Sequence, residues 1–460
     1  MSDKSEKLSV LSLTQIIAAF GFSMCAFSIG NAAAYTSPAL PSMKNKNVTS
    51  FSVSAQEASW VGGIMPLAGL LGGILGGPLI MYVGRKTTAM LSFIPFFIGW
   101  TLIAFASSVA MLLVGRGLSG FAVGVASLAL PVYLSEAIHP LIRGILGLMP
   151  TLIGNFGMLS CFIIGYFANW SLLAIISGLL CIPFLVLLFF VPESPRWYLT
   201  RGKPEKAESA LARLRRKNNN VADEFKEMTK RLADEAEGSN TCKDIFQKKY
   251  FKPVSIAVAL MIFQQLSGIS AVIFYTVMIF NMSDSSVDSY LSTIIVGTVN
   301  FLASLLAIFN IDHSGRKVLL ITSALSMIIT LFVLSAFFYC KSREMNIDGG
   351  GWVPLVCLVI YVLGFSMGFG PIPWLMMGEI LPSRIRAPAA SLVVGCNWAF
   401  TFIVTKTFQD LIDLVGAHGA FAFFCAVCII ALVFVIFIVP ETKNKSLEQI
   451  EEELTGGSGK

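Results

Sequence analysis

Runs of apolar residues, each closed by a short polar cluster, recur from one end of the chain to the other. About 20 consecutive apolar residues cross the hydrocarbon core of a bilayer as a helix. By that rule the pattern predicts spans near residues 9–35, 58–82, 88–106, 109–134, 144–167, 170–191, 253–280, 289–311, 318–340, 352–377, 388–409 and 418–439. Twelve spans place both termini on the same side. Between the sixth and the seventh the pattern changes. Residues 192–252 are rich in Glu, Lys and Arg, and Pro204–Lys217 and Ala222–Gly238 read as charged, partly amphipathic helices. The expected organisation is an N-terminal six-helix bundle over 1–191, a helical linker over 192–252, a second six-helix bundle over 253–440 and a polar tail over 441–460. The fold class is an all-α membrane protein with twelve transmembrane helices in two bundles.

Composition agrees and removes alternatives. The 460 residues are 55% hydrophobic and 13% charged, whereas soluble domains carry roughly 25% charged residues. A soluble enzyme, a disordered chain and a disulfide-stapled secreted domain are all excluded. The net charge of +6 would suggest nucleic acid in a soluble protein. In a membrane protein it marks the loops that stay in the cytosol. Arg85, Lys86, Arg143, Arg316, Lys317, Arg384 and Arg386 share the side of the termini, against Lys44, Lys46, Lys341 and Arg343 on the other. Both termini are therefore expected in the cytosol. Two sequons, Asn47-Val-Thr49 and Asn281-Met-Ser283, then fall outside as candidate glycosylation sites. An enzyme within the membrane would need a nucleophile–base pair or metal ligands at depth, but His139, His313 and His418 all lie at loops. Cys425 and Cys428 share one face of an apolar helix, which points to packing. No metal, cofactor or obligate protein partner is implied.

The halves repeat each other. Gly84-Arg85-Lys86 after span two matches Gly315-Arg316-Lys317 after span eight. Glu136 and Arg143 match Glu379 and Arg386, and Pro192-Glu193-Ser194 matches Pro440-Glu441-Thr442. Parallel repeats of six spans are a transporter architecture. Further motifs run in order along the chain: Gly76-Gly77-Pro78, Arg116-Gly117, Pro131-Val-Tyr-Leu-Ser-Glu136, Pro192-Glu-Ser-Pro-Arg-Trp197, Gln264-Gln-Leu-Ser-Gly-Ile269, Asp312, Gly370-Pro-Ile-Pro-Trp374 and Asn397-Trp398. With these the chain resembles the sugar porters of the major facilitator superfamily over essentially its whole length. Ala34-Tyr-Thr-Ser-Pro-Ala-Leu40 and Gly147-Leu-Met-Pro-Thr-Leu152 are similar to the facilitated trehalose transporters of insects.

The resemblance implies a plasma-membrane carrier and assigns roles. Gln264, Gln265, Asn300 and Asn397 would hydrogen-bond sugar hydroxyls, since each amide offers a donor pair and an acceptor. Lone amides in membranes more often join helices, so the case rests on their number and on Trp374 and Trp398. An indole ring suits the apolar face of a pyranose, and its N–H can donate. Phe274 and Tyr275 match gating aromatics. Gly370, Pro371 and Pro373, with Gly364 and Gly368, should break span ten. Arg85, Glu136, Arg143, Glu193, Arg196, Asp312, Arg316, Glu379, Arg386 and Glu441 would pair across the two halves at the cytosolic side. Met81 stands where the family has an acid, which leaves that network one member short.

Three departures bear on the substrate. Thr151, Ser270 and Ser366 replace a glutamine, an asparagine and a glutamate of the family. All three are shorter and would leave room for a disaccharide. Coupling is legible from the residues themselves, because a proton symporter needs a titratable group within the bilayer. No Asp, Glu or His lies mid-span, and Ala32 stands where proton-coupled relatives carry an acid. The expected function is trehalose uniport. The alternatives are a facilitative glucose or hexose carrier and a sugar sensor on the same scaffold, the latter disfavoured by the short segment after Pro440.

Overall fold

The computed structural model describes residues 12–45, 49, 51–215, 221–237, 247–283, 287–345, 350–382, 385–443, 445 and 447–455. All regular structure among them is helical. In the first half the spans are Leu13–Ala34 continued by Thr36–Met43, Ala55–Tyr82, Arg85–Leu91 continued by Phe93–Ala104, Val109–Ala137, Pro140–Phe167, and Trp170–Leu180 continued by Ile182–Phe189. Linker helices Pro195–Thr200, Pro204–Leu214 and Val221–Glu237 follow. In the second half the spans are Lys248–Leu266 continued by Ile269–Ser283, Ser289–Ser314, Arg316–Ser342, and Val353–Met367 continued by Ile372–Ile380. Spans eleven and twelve form one helical run, Arg386–Phe437, turned at Gly416, whose φ of 73° few side chains adopt. The tail closes with a helix at Leu447–Thr455. The end of the bundle that carries the linker and tail helices is called the linker end below, and its opposite the far end.

Spans one and seven differ most from the sequence reading, for physical reasons. Span one does not stop near 35. The polar stretch after Tyr35 stays helical to Met43 because Thr36 and Ser37 are buried against neighbouring helices. Span seven begins at Lys248, so the last basic residues of the linker belong to its first turns. It is also broken, at Gly268 with φ 96° and again at Tyr275, where φ is −129° and ψ 21°.

Glycine sets the closest helix contacts. A Cβ on Gly72 would strike the Phe121 carbonyl, one on Gly120 that of Met65, and one on Gly124 that of Gly69. Spans two and four thus meet backbone to backbone, as do spans one and five at Gly30 and Gly154. Without a hydrophobic drive between helices in lipid, such small residues let dispersion hold the bundle. Caps fix the entries. The Ser54 hydroxyl accepts from the Glu57 N–H while the Glu57 carboxylate accepts from the Ser54 N–H, opening span two at the far end. At the linker end, Arg215 is buried and donates to the Ala137 carbonyl and to both Glu224 oxygens, so the linker helices are fastened to span four.

Candidate functional site

Gln264, Gln265 and Asn397 meet at mid-membrane. The Gln264 oxygen accepts from Asn397 Nδ2 at 2.8 Å, and Gln265 Nε2 donates to Asn397 Oδ1 at 3.2 Å. Ser270 Oγ donates to the Gln265 oxygen at 2.5 Å. A second pair stands on spans eight and ten, where Ser366 Oγ donates to Asn300 Oδ1 at 2.7 Å. All six side chains are buried. The serines therefore do more than leave room: each holds an amide by its oxygen and leaves the NH₂ end to face elsewhere. Among the described residues Asn300 Nδ2 finds only the Met158 sulfur, at 3.5 Å, so its donors are the least committed of the set.

Gln264 has a different task. Span ten is interrupted between Met367 and Ile372, and an interrupted helix leaves carbonyls without partners. Gln264 Nε2 donates to the freed carbonyls of Phe369 at 2.7 Å and Gly370 at 2.8 Å. Both of its protons are thereby used, and it bridges span seven to the break at Gly370, Pro371 and Pro373. Beside the cluster, the Trp398 ring packs on Gly69 of the opposite half, and its buried indole N–H has no partner among the described residues. Asn31 on span one is likewise buried, and neither of its amide atoms has a partner among the described residues. Trp374, just past the break, is 39% exposed, and Thr151 is exposed on span five.

The far end is closed. Tyr275 reaches from span seven to the Thr405 carbonyl of span eleven at 2.8 Å, stacks on Phe408 at 5.4 Å, and fills the space over Gly62 of span two. Phe274 beside it is buried. Around this gate the halves are latched by residues not predicted as a site. Gln56 donates to Asp410 at 3.3 Å, Lys406 lies 3.5 Å from the Asp410 carboxylate, and the Lys406 ammonium sits 5.2 Å from the Trp60 ring centre. Their signal in the sequence was Lys406 itself, a charge inside an apolar run. Arg116 is the other such charge. It is fully buried and donates to the carbonyls of Ala32 at 2.9 Å and Val61 at 3.3 Å and to Thr36 Oγ1 at 2.9 Å, with the Tyr35 ring at 5.6 Å. Among the described residues no carboxylate pairs with it.

The linker end shows the duplication atom by atom. Arg85 Nη2 lies 2.9 Å from Glu136, and Arg316 Nη2 lies 3.1 Å from Glu379. Glu193 accepts from the backbone N–H groups of Arg85, Lys86 and Thr87, and Glu441 from those of Arg316 and Lys317. Ser194 donates to Glu136 as Thr442 does to Glu379. A side chain on Gly84 or Gly315, both at positive φ, would strike the glutamate that its own loop receives. Burial pushes the Glu441 pKa up, but the backbone donors of Lys443, Arg316, Lys317 and Thr442 outweigh it and hold the carboxyl below its ordinary value. Among the described residues these pairs join residues within one half; the expected pairing across the halves also calls on Arg143, Asp312 and Arg386. Arg196 is half-buried and engaged. The side chains of Arg143, Asp312 and Arg386 lie outside the described residues. Met81, in the place of the missing acid, offers only its carbonyl, which accepts from Trp197 and Arg201.

The sequons fare differently. Asn47 lies outside the described residues. Asn281 sits in the last turn of span seven, and the Ser283 hydroxyl that completes its sequon is buried and donates to the Phe280 carbonyl.

Two six-helix halves with the same charged motif, enclosing buried amides beside a broken helix, define a membrane protein of the major facilitator fold. Residues 14–454 match the family described as sugar (and other) transporter, and the chain belongs to that family. It is 55% identical over 96% of its length to the facilitated trehalose transporter Tret1 of Drosophila mojavensis, covering 52% of that protein. It is 54% identical to the Tret1-2 homolog of Drosophila simulans, covering 96% of this chain and 91% of the other. The chain thus spans about half the length of several of the relatives it matches. Among solved structures, the proton:xylose symporter XylE bound to 6-bromo-6-deoxy-D-glucose superposes with a TM-score of 0.79 at 27% identity, covering 96% of this chain and 99% of that one. An inward-open XylE from E. coli gives 0.79 at 26% identity over 95% and 99%.

Proposed function

We propose that the chain is a facilitative carrier of trehalose in the plasma membrane, with both termini and the linker in the cytosol. In that orientation the far end is external, and its gate is shut by Tyr275. The sugar would meet the uncommitted donors of Asn300, the free indole N–H of Trp398 and the amide of Gln265, with Trp374 and Thr151 at the approach. Gln264 and Asn397 would hold the frame.

The observation that carries uniport is the environment of Arg116. Its guanidinium is satisfied by two carbonyls, a hydroxyl and an aromatic ring, and the carbonyl of Ala32 occupies the acceptor position. A buried carboxylate there would give a proton a place to bind within the membrane; neutral acceptors give none. The relatives differ on this point by name, one group being facilitated transporters and the other a proton symporter. Neutral ligation of Arg116 favours the facilitated class. Uptake of labelled trehalose and glucose into proteoliposomes tests the reading. Trehalose should equilibrate and never exceed the external concentration, even with an inward proton gradient. Accumulation that a protonophore abolishes would refute uniport, and uptake of glucose alone would refute the substrate.

A further inference from the structure

A cavity of about 370 Å³ lies above the shut gate, walled by the end of span one, the start of span two and the second segment of span seven. Its floor is Phe274 and Tyr275, so the gate separates it from the amide cluster. That volume is at the lower end of the roughly 300–1,000 Å³ of small-molecule sites.

The lining combines two chemistries. Leu40, Phe274 and Met278 offer an apolar wall, while Asn281 and Lys44 present polar groups at the rim. Neither the Asn281 amide nor the Lys44 ammonium has a side-chain partner among the described residues. Deeper in, Ser37 Oγ accepts from the Val277 N–H at 3.2 Å, a donor released by the kink at Tyr275; its own proton has no acceptor among the described residues. An apolar floor ringed by separate donors, with one cation and no carboxylate among the described lining residues, matches a neutral ring that has one C–H face and hydroxyls around its edge.

We propose that this vestibule is an outer docking site for one pyranose ring of a neutral sugar, filled while the gate below it is closed. The ring lies on Phe274 and Met278, and its hydroxyls accept from Asn281 and Lys44 and bond Ser37. Tyr275 is then shared between two positions: it closes the inner site and supports the outer one. Sugar waiting there enters when the phenol leaves Thr405. The proposal rests on the carrier reading for its ligand, but the site can be tested apart from transport.

Two variants address it, Asn281→Ala at an exposed position and Met278→Trp, which fills the cavity. Asn281→Ala should raise the half-saturation for trehalose entry from the far side about three- to tenfold, the loss expected for one hydrogen bond, and Met278→Trp, which excludes the ring, should raise it further. Half-saturation for exit from the linker side should not move, because the amide cluster is untouched. An equal change on both sides, or no change on either, would overturn the proposal. Should the wild type carry no trehalose, the carrier reading fails and equilibrium binding still decides the vestibule. Labelled trehalose should then bind a Gln265→Ala/Asn300→Ala protein, and Met278→Trp should abolish that binding. A protein with no residual binding before Met278 is replaced would also overturn it.

Discussion

Tyr275→Phe isolates one hydrogen bond of the outer gate. The ring is 2% exposed and stacked on Phe408, and phenylalanine keeps that stacking. Only the hydroxyl is lost, and with it the 2.8 Å bond to the Thr405 carbonyl. An intramolecular hydrogen bond contributes about 0.5–1.5 kcal/mol net. The bond lies within one half, so it reports the gate through the second segment of span seven, which is hinged at Gly268 and Tyr275 and is expected to swing away from span eleven when the far end opens, returning both groups to water. The closed state alone is weakened, and the ratio of open to closed should rise roughly two- to twelvefold. Spin labels at Ala55 and Asp413, both exposed at the far ends of opposite halves, would read the two populations as a short and a long distance. The long-distance population should grow by that factor, and the half-saturation for external sugar should fall. Tyr275→Leu, which also removes the stacking, should shift the balance further. An unchanged distance distribution in Tyr275→Phe, with thermal stability lowered, would show that the hydroxyl serves the fold and not the gate.

Two other expectations follow from the amides and the serines. Asn300→Ala should weaken trehalose half-saturation by a few-fold to about tenfold with normal expression, whereas Gln264→Ala should chiefly lower thermal stability by freeing the Phe369 and Gly370 carbonyls; the reverse pattern would overturn the division of roles. Thr151→Gln and Ser366→Glu should abolish trehalose transport before glucose transport, because overpacking of about 1–3 kcal/mol acts more on the larger sugar; an equal loss for both sugars would refute the cavity argument.

Much of this protein was legible in its residues alone. The spans follow from the bilayer, which demands about 20 apolar residues wherever a helix crosses it. The duplicated motif is a matter of spacing. The break in span ten follows from Gly368, Gly370, Pro371 and Pro373, whose backbone chemistry acts locally. The lack of a mid-span carboxylate is read directly from the letters. Other features are set by which helix faces meet, and that depends on small rotations and on glycine contacts between distant segments. Gln264 looked like a sugar ligand until the carbonyls of the broken span lay beside it. Arg116 was a charge without a partner until the bundle brought Ala32, Thr36 and Val61 around it. Gln56 and Asp410 are 354 residues apart and become a latch only when the far ends close. For the same reason Arg85 meets Glu136 and Arg316 meets Glu379, each within its own half: a polar group in a membrane bonds what the packing places within reach, and only tertiary structure decides what that is.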